Sequence, residues 1–161
     1  QCPAKCRRYL DATEAAFSAQ GCVCPMLFVH DMRMAIPLNG VPKDLAAGAA
    51  RTAARAGASD VVIVIECWHV DVLDEAAVKA WYAAHDDLTG HPDRKEAVLL
   101  VYACPEYELE CLSEIIRESG KPPRLGEWKV VDIGEATKVK GRFSNIYGRR
   151  EVAHVDAHGN N

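Results

Sequence analysis

No stretch of this chain approaches the roughly 20 consecutive apolar residues of a bilayer-spanning helix, so it offers no transmembrane segment. The N-terminus lacks the charged-then-apolar order of a signal peptide. Nucleophile elbows, phosphate-binding glycine loops and dinucleotide-binding glycine patterns are missing. Gly48 is the only glycine in the alanine-rich stretch 43–56 and cannot cradle a phosphate by itself. There is no internal repeat and no low-complexity tract, which excludes solenoid and linker architectures. Excess positive charge is absent too. The formal net charge is -4, whereas a dedicated nucleic-acid binder is usually basic. The seven cysteines are an odd number in an otherwise ordinary composition, which argues against a secreted disulfide framework and for a reducing, cytoplasmic setting.

What the chain does contain is enough for one packed domain. It has 161 residues, 49% apolar and 26% charged, a size and balance that bury a sizeable core. Its clearest signals are two uninterrupted apolar runs. Val61–Ile65 (VVIVI) passes into Glu66-Cys67-Trp68-His69, and Ala97–Ala103 (AVLLVYA) is entered through His91-Pro92-Asp93-Arg94-Lys95-Glu96. Runs of this kind are strands buried on both faces, expected at the centre of a sheet.

Around them the periodicities predict a helix over 3–19, with Tyr9, Ala12, Ala16 and Ala19 at helical spacing, Leu10 and Phe17 beside them and Gly21 as the stop. Strands are expected at 24–30 and 33–38. A second helix is expected over 43–56, with Leu45, Ala49 and Ala53 on one face, and a short one over 75–85 capped by Asp74. Residues 106–118 fit two patterns. Tyr107, Leu109, Cys111 and Ile115 alternate with glutamates at period two, while Leu109, Leu112 and Ile116 form a helical stripe; the longer-sustained alternation favours a strand. Further strands are expected at 127–133 and 141–147. Strands grouped after a helix favour antiparallel pairing. The expected fold is a single α+β domain over 1–147, a mostly antiparallel five- to seven-stranded sheet with two or three helices packed on it, and a flexible tail over 148–161.

The polar residues at the ends of the central runs define a candidate cleft of Glu66, Trp68, His69, His91, Arg94 and Glu96. If the two runs are parallel, the groups flanking them lie about 20 Å apart at opposite ends of the sheet; if antiparallel, they meet. Assembled, carboxylates and histidines serve acid–base chemistry or hold a metal. Taken separately, Arg94 beside an acid is a structural ion pair and Trp68 a cap on the core. Four cysteines, Cys2, Cys6, Cys22 and Cys24, are a candidate zinc set, although Cys22 and Cys24 would point to opposite faces of a strand. A basic segment carries Lys138, Lys140, Arg142, Arg149 and Arg150 interleaved with Phe143 and Tyr147, a mixture that suits phosphates and stacked bases. The same cations would meet the glutamate-rich 106–118 of a second copy.

Glu66 and Trp68, His91–Arg94 with Glu96, Ile115–Arg117, Gly120–Trp128 and Gly141–Phe143 together resemble a group of small uncharacterised bacterial and phage-borne proteins. The matching residues cover the central and later parts of the chain and leave the first 20 residues and the tail unmatched. The resemblance implies no activity and no catalytic residue. The leading expectation is a small cytoplasmic, non-enzymatic binding or accessory protein that contacts other proteins, self-associates as a homo-oligomer and needs no cofactor. The opposing one is a metal-dependent hydrolase using Glu66, His69, His91 and Glu96, with nucleic-acid binding through 138–150 as a third. The element order would also suit a profilin- or roadblock-like scaffold, by fold analogy alone.

Overall fold

The computed structural model describes residues 3–71, 75–133 and 143–148. In chain order its elements are α1 (Ala4–Gln20), β1 (Met26–Val29), β2 (Met34–Pro37), α2 (Lys43–Arg55), β3 (Val61–His69), α3 (Glu75–Ala84), β4 (Lys95–Ala103), β5 (Glu108–Ile116), β6 (Arg124–Leu125) and β7 (Lys129–Asp132). The sheet order is β2-β1-β3-β4-β5, with β6 and β7 both paired to the far side of β5, and every pairing is antiparallel. This is the single α+β domain expected from the sequence.

One helix covers each face of the sheet. α1 inserts Cys6, Tyr9, Leu10 and Phe17 against Val62, Val64, Val98, Leu100 and Cys111. These helix positions recur at three and four residues, so they form one stripe. The alanines at 12, 16 and 19, expected on the packed side, face solvent instead. Burying Tyr, Leu and Phe removes far more apolar area from water than burying alanines would. Gly21 then ends the helix in the left-handed region, φ 72°, with its N–H donating to the Phe17 carbonyl at 2.7 Å.

On the other face α2 buries Ala46, Ala47, Ala50 and Ala54 against Leu27, Val29, Val61, Ile63 and Ile65. Of the expected stripe, Ala53 packs part-buried against this cluster, whereas Ala49 is exposed and Leu45 is 65% exposed. Alanines bring the helix backbone close to the branched side chains of the strands, a fit that leucine at the contact would prevent.

The ambiguous segment 106–118 is a strand. Leu109, Cys111, Ser113 and Ile115 point toward α1, while the even positions face the α2 side. Glu108, expected on a solvated acidic face, is buried, and its Oε2 accepts the Ile146 N–H at 3.1 Å. Beyond β5 the pairing sum changes from 240 at Ile115↔Leu125 to 241 at Leu112↔Lys129. One extra residue therefore sits in the outer strand, a bulge between β6 and β7. The Ser113 hydroxyl donates to the Gly126 carbonyl at 2.9 Å beside it.

The strand expected at 141–147 is not formed by its described residues, 143–147, which make turns. Phe143 and Ile146 are both buried on the α2 face, and a separation of three is incompatible with period-two alternation. Arg51 donates to the Ser144 carbonyl at 3.0 Å and the Tyr147 hydroxyl to the Ala58 carbonyl at 2.8 Å, holding the segment down. Residues 149–161 lie outside the described residues, as do Asp74 and residues 134–142.

Candidate functional site

β3 and β4 pair antiparallel from Val61↔Ala103 to His69↔Lys95, so the polar residues flanking the two runs do meet at one end of the sheet. Helix α3 is an insertion in that hairpin. Alternation along β3 nevertheless divides the candidate cleft. Glu66 and Trp68 share the α1 face with Val62 and Val64, whereas His69 shares the α2 face with Ile63 and Ile65. Glu96, opposite Trp68, joins the first group, and Lys95, opposite His69, joins the second. The cluster of Glu66, His69, His91 and Glu96 is thus not assembled as one site, because a sheet separates His69 from the two glutamates.

On the α1 side, Glu66 and Glu96 are diagonal cross-strand neighbours, about 7–8 Å apart between Cα atoms. Each is already engaged. Glu66 Oε1 accepts the Val23 N–H at 2.8 Å, and Glu96 is paired with Arg117. The Arg94 guanidinium carbon lies 4.5 Å from the centre of the Trp68 ring, a cation–π contact. His91 meets the edge of Trp81, whose ring stacks on His85 and whose indole N–H donates to the Asp87 carbonyl at 2.8 Å. Trp68, Gly90, His91, Pro92, Arg94 and Glu96 line an open hollow of about 520 Å³.

On the α2 side the structure shows a network that the sequence reading missed. Asp71 Oδ2 accepts from Lys95 Nζ at 2.6 Å, Asp71 Oδ1 lies 3.1 Å from His69 Nε2, and Lys95 also reaches Glu114 at 3.1 Å. Lys129 approaches Asp71 at 3.7 Å. Ligand atoms of His69, Asp71 and Glu114 all fall within 4.8 Å of one another, a donor set compatible with a divalent cation. Here the Lys95 ammonium is the cation that these carboxylates share. Period-two alternation on β3 was the signal that could have placed His69 here rather than beside Glu66.

The hydrogen bond from Lys95, with that from His69 second, holds the Asp71 carboxyl down to about 2. An unfolded aspartate titrates at about 3.9. A depressed folded value means that the pair's contribution is complete above about pH 4 and is lost as pH falls through about 2. The Asp71 carboxyl carbon should therefore titrate near pH 2 by NMR, and Lys95→Met should move that midpoint upward. An ordinary aspartate midpoint in the wild type would mean that Lys95 is not at its side in solution.

The cysteines are not gathered. Cys6 is fully buried, with its Sγ 3.8 Å from that of Cys111. Cys22 and Cys24 are exposed beyond the other end of α1, whose axis rises about 21 Å from Cys6 to Gln20. Cys2 lies outside the described residues. Burial pushes the Cys67 thiol up to about 11. The candidate basic surface, Lys138, Lys140, Arg142, Arg149 and Arg150, also lies outside the described residues. Of its two aromatics, Phe143 is buried and Tyr147 is half-buried with its hydroxyl bonded, so both anchor the chain rather than offering rings to bases. Nor is the 106–118 strip a free acidic face: Glu114 bridges to Lys95, and Glu118 to Lys121 and Arg124.

A buried polar centre lies at the opposite end of β3. Asp60 is 0% exposed; its Oδ1 accepts the Asp31 N–H at 2.6 Å, and its Oδ2 lies 3.5 Å from the Tyr102 hydroxyl. It secures the β1–β2 turn, where His30, Asp31 and Met32 all have positive φ (57°, 53° and 65°). The Met32 N–H donates to the Tyr9 hydroxyl at 3.0 Å. Burial, with the Asp60 charge adding, raises the Tyr9 hydroxyl above the ordinary tyrosine range and pushes Tyr147 up to about 12.

Among the described residues no helix is long and apolar enough to cross a membrane. No family model, curated protein or solved structure matches this chain, so the resemblance described above rests on its motifs alone.

Proposed function

We propose that this protein is a small, non-enzymatic, cytoplasmic binding or accessory protein that acts through protein contacts and self-associates. The observation that carries the reading is a ledge of exposed apolar side chains from β2 into the first turn of α2: Met34, Ile36, Val41 and Leu45. Met34 and Ile36 stand opposite Val29 and Leu27, which places them on the α2 side of the sheet. Large apolar residues gathered in this way, rather than scattered singly, mark an interaction surface. A twofold axis through such a patch makes it self-complementary.

Side chains rather than strand addition would make the contact. Leu38 N–H donates to the Pro25 carbonyl at 2.8 Å, which by alternation directs the amides of Ile36 and Met34 toward β1 as well. Ala35 is then the one residue of β2 with an outward N–H, because Pro37 has none. The edge is too blunt to recruit another strand.

Support for a binding role also comes from the acids on the α1 side: Glu66 and Glu96 are both engaged, which leaves neither ready as a general base. The test is a native mass spectrum of the wild type and of Leu45→Lys. The wild type is expected at a multiple of the chain mass and the variant at the monomer mass, with the urea midpoint unchanged because Leu45 is exposed. A monomeric wild type would remove self-association from the reading.

A further inference from the structure

Among the described residues, the hollow beside Trp68 contains a cation that no acid neutralises. Arg117 is paired with Glu96, and Lys95 with Asp71 and Glu114. Arg94 instead has its guanidinium carbon 4.5 Å from the centre of the Trp68 ring, and among the described residues no carboxylate takes its N–H groups. This cation–π contact restrains the side chain, so less of its entropy remains to be lost when a ligand uses the fork of donors. The neighbouring His91 has a defined tautomer. Its Nδ1 accepts the Asp93 N–H at 3.1 Å, which puts the proton of the neutral ring on Nε2 and leaves that N–H as a donor. Trp68, 39% exposed, and Pro92 supply apolar wall beside these donors.

We propose that this hollow binds a carboxylate presented by an acidic segment of a protein partner, with the Arg94 fork and the His91 Nε2–H as donors. The proposal rests on the reading of the chain as a binding protein but uses a different surface from the apolar ledge. A carboxylate is favoured over a phosphate for two reasons. Its planar pair of oxygens matches the guanidinium fork. Glu96 lines the same hollow, and a doubly charged group would be repelled by it more strongly than a singly charged one. A protein source is favoured over a free acid because the hollow is open and would enclose little of a small molecule. Its affinity must draw on the surrounding surface, where Trp and Arg are the residue types that dominate protein contacts.

The experiment is an NMR titration of the full chain, following the Trp68 indole N–H and the Arg94 Nε–H. The probes are a hexaglutamate peptide, a hexaglutamine peptide, glutarate and inorganic phosphate. Hexaglutamate should shift both signals saturably, hexaglutamine should not, and glutarate and phosphate should act only at much higher concentration. Arg94→Gln should weaken hexaglutamate binding about tenfold or more, the loss of a charge-assisted hydrogen bond. Arg94→Lys should fall between the two, since it keeps the charge and loses the fork, and both variants should keep the wild-type urea midpoint. Glutarate or phosphate as potent as the peptide would overturn the protein source. Unchanged binding in Arg94→Gln, or no shift with any probe, would overturn the site. Neither result alters the oligomeric mass, whereas failure of the self-association reading would appear as a monomer that still binds the peptide.

Discussion

Asp60→Ala is expected to destabilise the protein by about 3–4 kcal/mol, as measured by urea unfolding. The carboxylate is fully buried, and the short 2.6 Å hydrogen bond from the Asp31 N–H ends on it. Truncation removes the acceptor of that part-buried amide and of the buried Tyr102 hydroxyl, and each such loss costs about 1–3 kcal/mol. It also removes the main support of a strained turn. Three successive non-glycine residues in the left-handed region cost about 1–3 kcal/mol each unless their surroundings hold them there. His and Asp tolerate this region better than Met does, so Met32 carries most of the strain. Asp60→Asn should lose roughly half as much, because its side-chain oxygen still accepts from Asp31. Tyr9→Phe, which removes the acceptor of the Met32 N–H, should be non-additive with Asp60→Ala because both act on the same turn. A loss below about 1 kcal/mol for Asp60→Ala would show that the turn stands by its own backbone hydrogen bonds.

Leu100→Ala should cost a similar amount, about 3–4 kcal/mol, for a different reason. Leu100 is in the middle of β4, paired with Val64 on one side and Cys111 on the other, and none of it is exposed. Its side chain fills the space between the sheet and α1, where rigid β-branched and aromatic neighbours collapse poorly around a cavity. In a domain of this size the melting temperature should fall by about 2–4 °C for each kcal/mol. Leu45→Ala is the internal comparison: the same atoms are removed from a solvent-facing position, and the stability of the monomer should hardly move. A small effect for Leu100→Ala would mean that α1 re-seats itself on the sheet.

The strands at 61–65, 97–103 and 106–118 were legible because their signals are local. The runs 61–65 and 97–103 are too uniformly apolar to face water on either side, and the alternation in 106–118 is sustained over a full strand length. Helices α1 and α2 were placed along the chain, but part of each expected stripe (Ala12, Ala16 and Ala19 on α1, Leu45 and Ala49 on α2) is turned out of the contact, for one shared reason. Spacing identifies several stripes on an alanine-rich helix, and only the partner surface selects among them. Beside α1 there was room for Tyr9, Leu10 and Phe17; beside α2 the branched strand residues admitted only alanine.

The site divides along the same line. The sequence itself determined that Glu66, Trp68 and His69 end one central strand, that His91, Arg94 and Glu96 lead into the next, and that Glu66 and His69 leave the sheet on opposite faces. Tertiary structure alone decided that the two strands run antiparallel, that Arg117 takes Glu96, that Lys95 holds Asp71 and Glu114, and that Arg94 is left against Trp68. Pairing between residues some twenty positions apart depends on strand direction and register, which a one-residue shift would reverse from face to face. Neither quantity is written in any local stretch of the chain; both are set by how the two cores close on either side of the sheet.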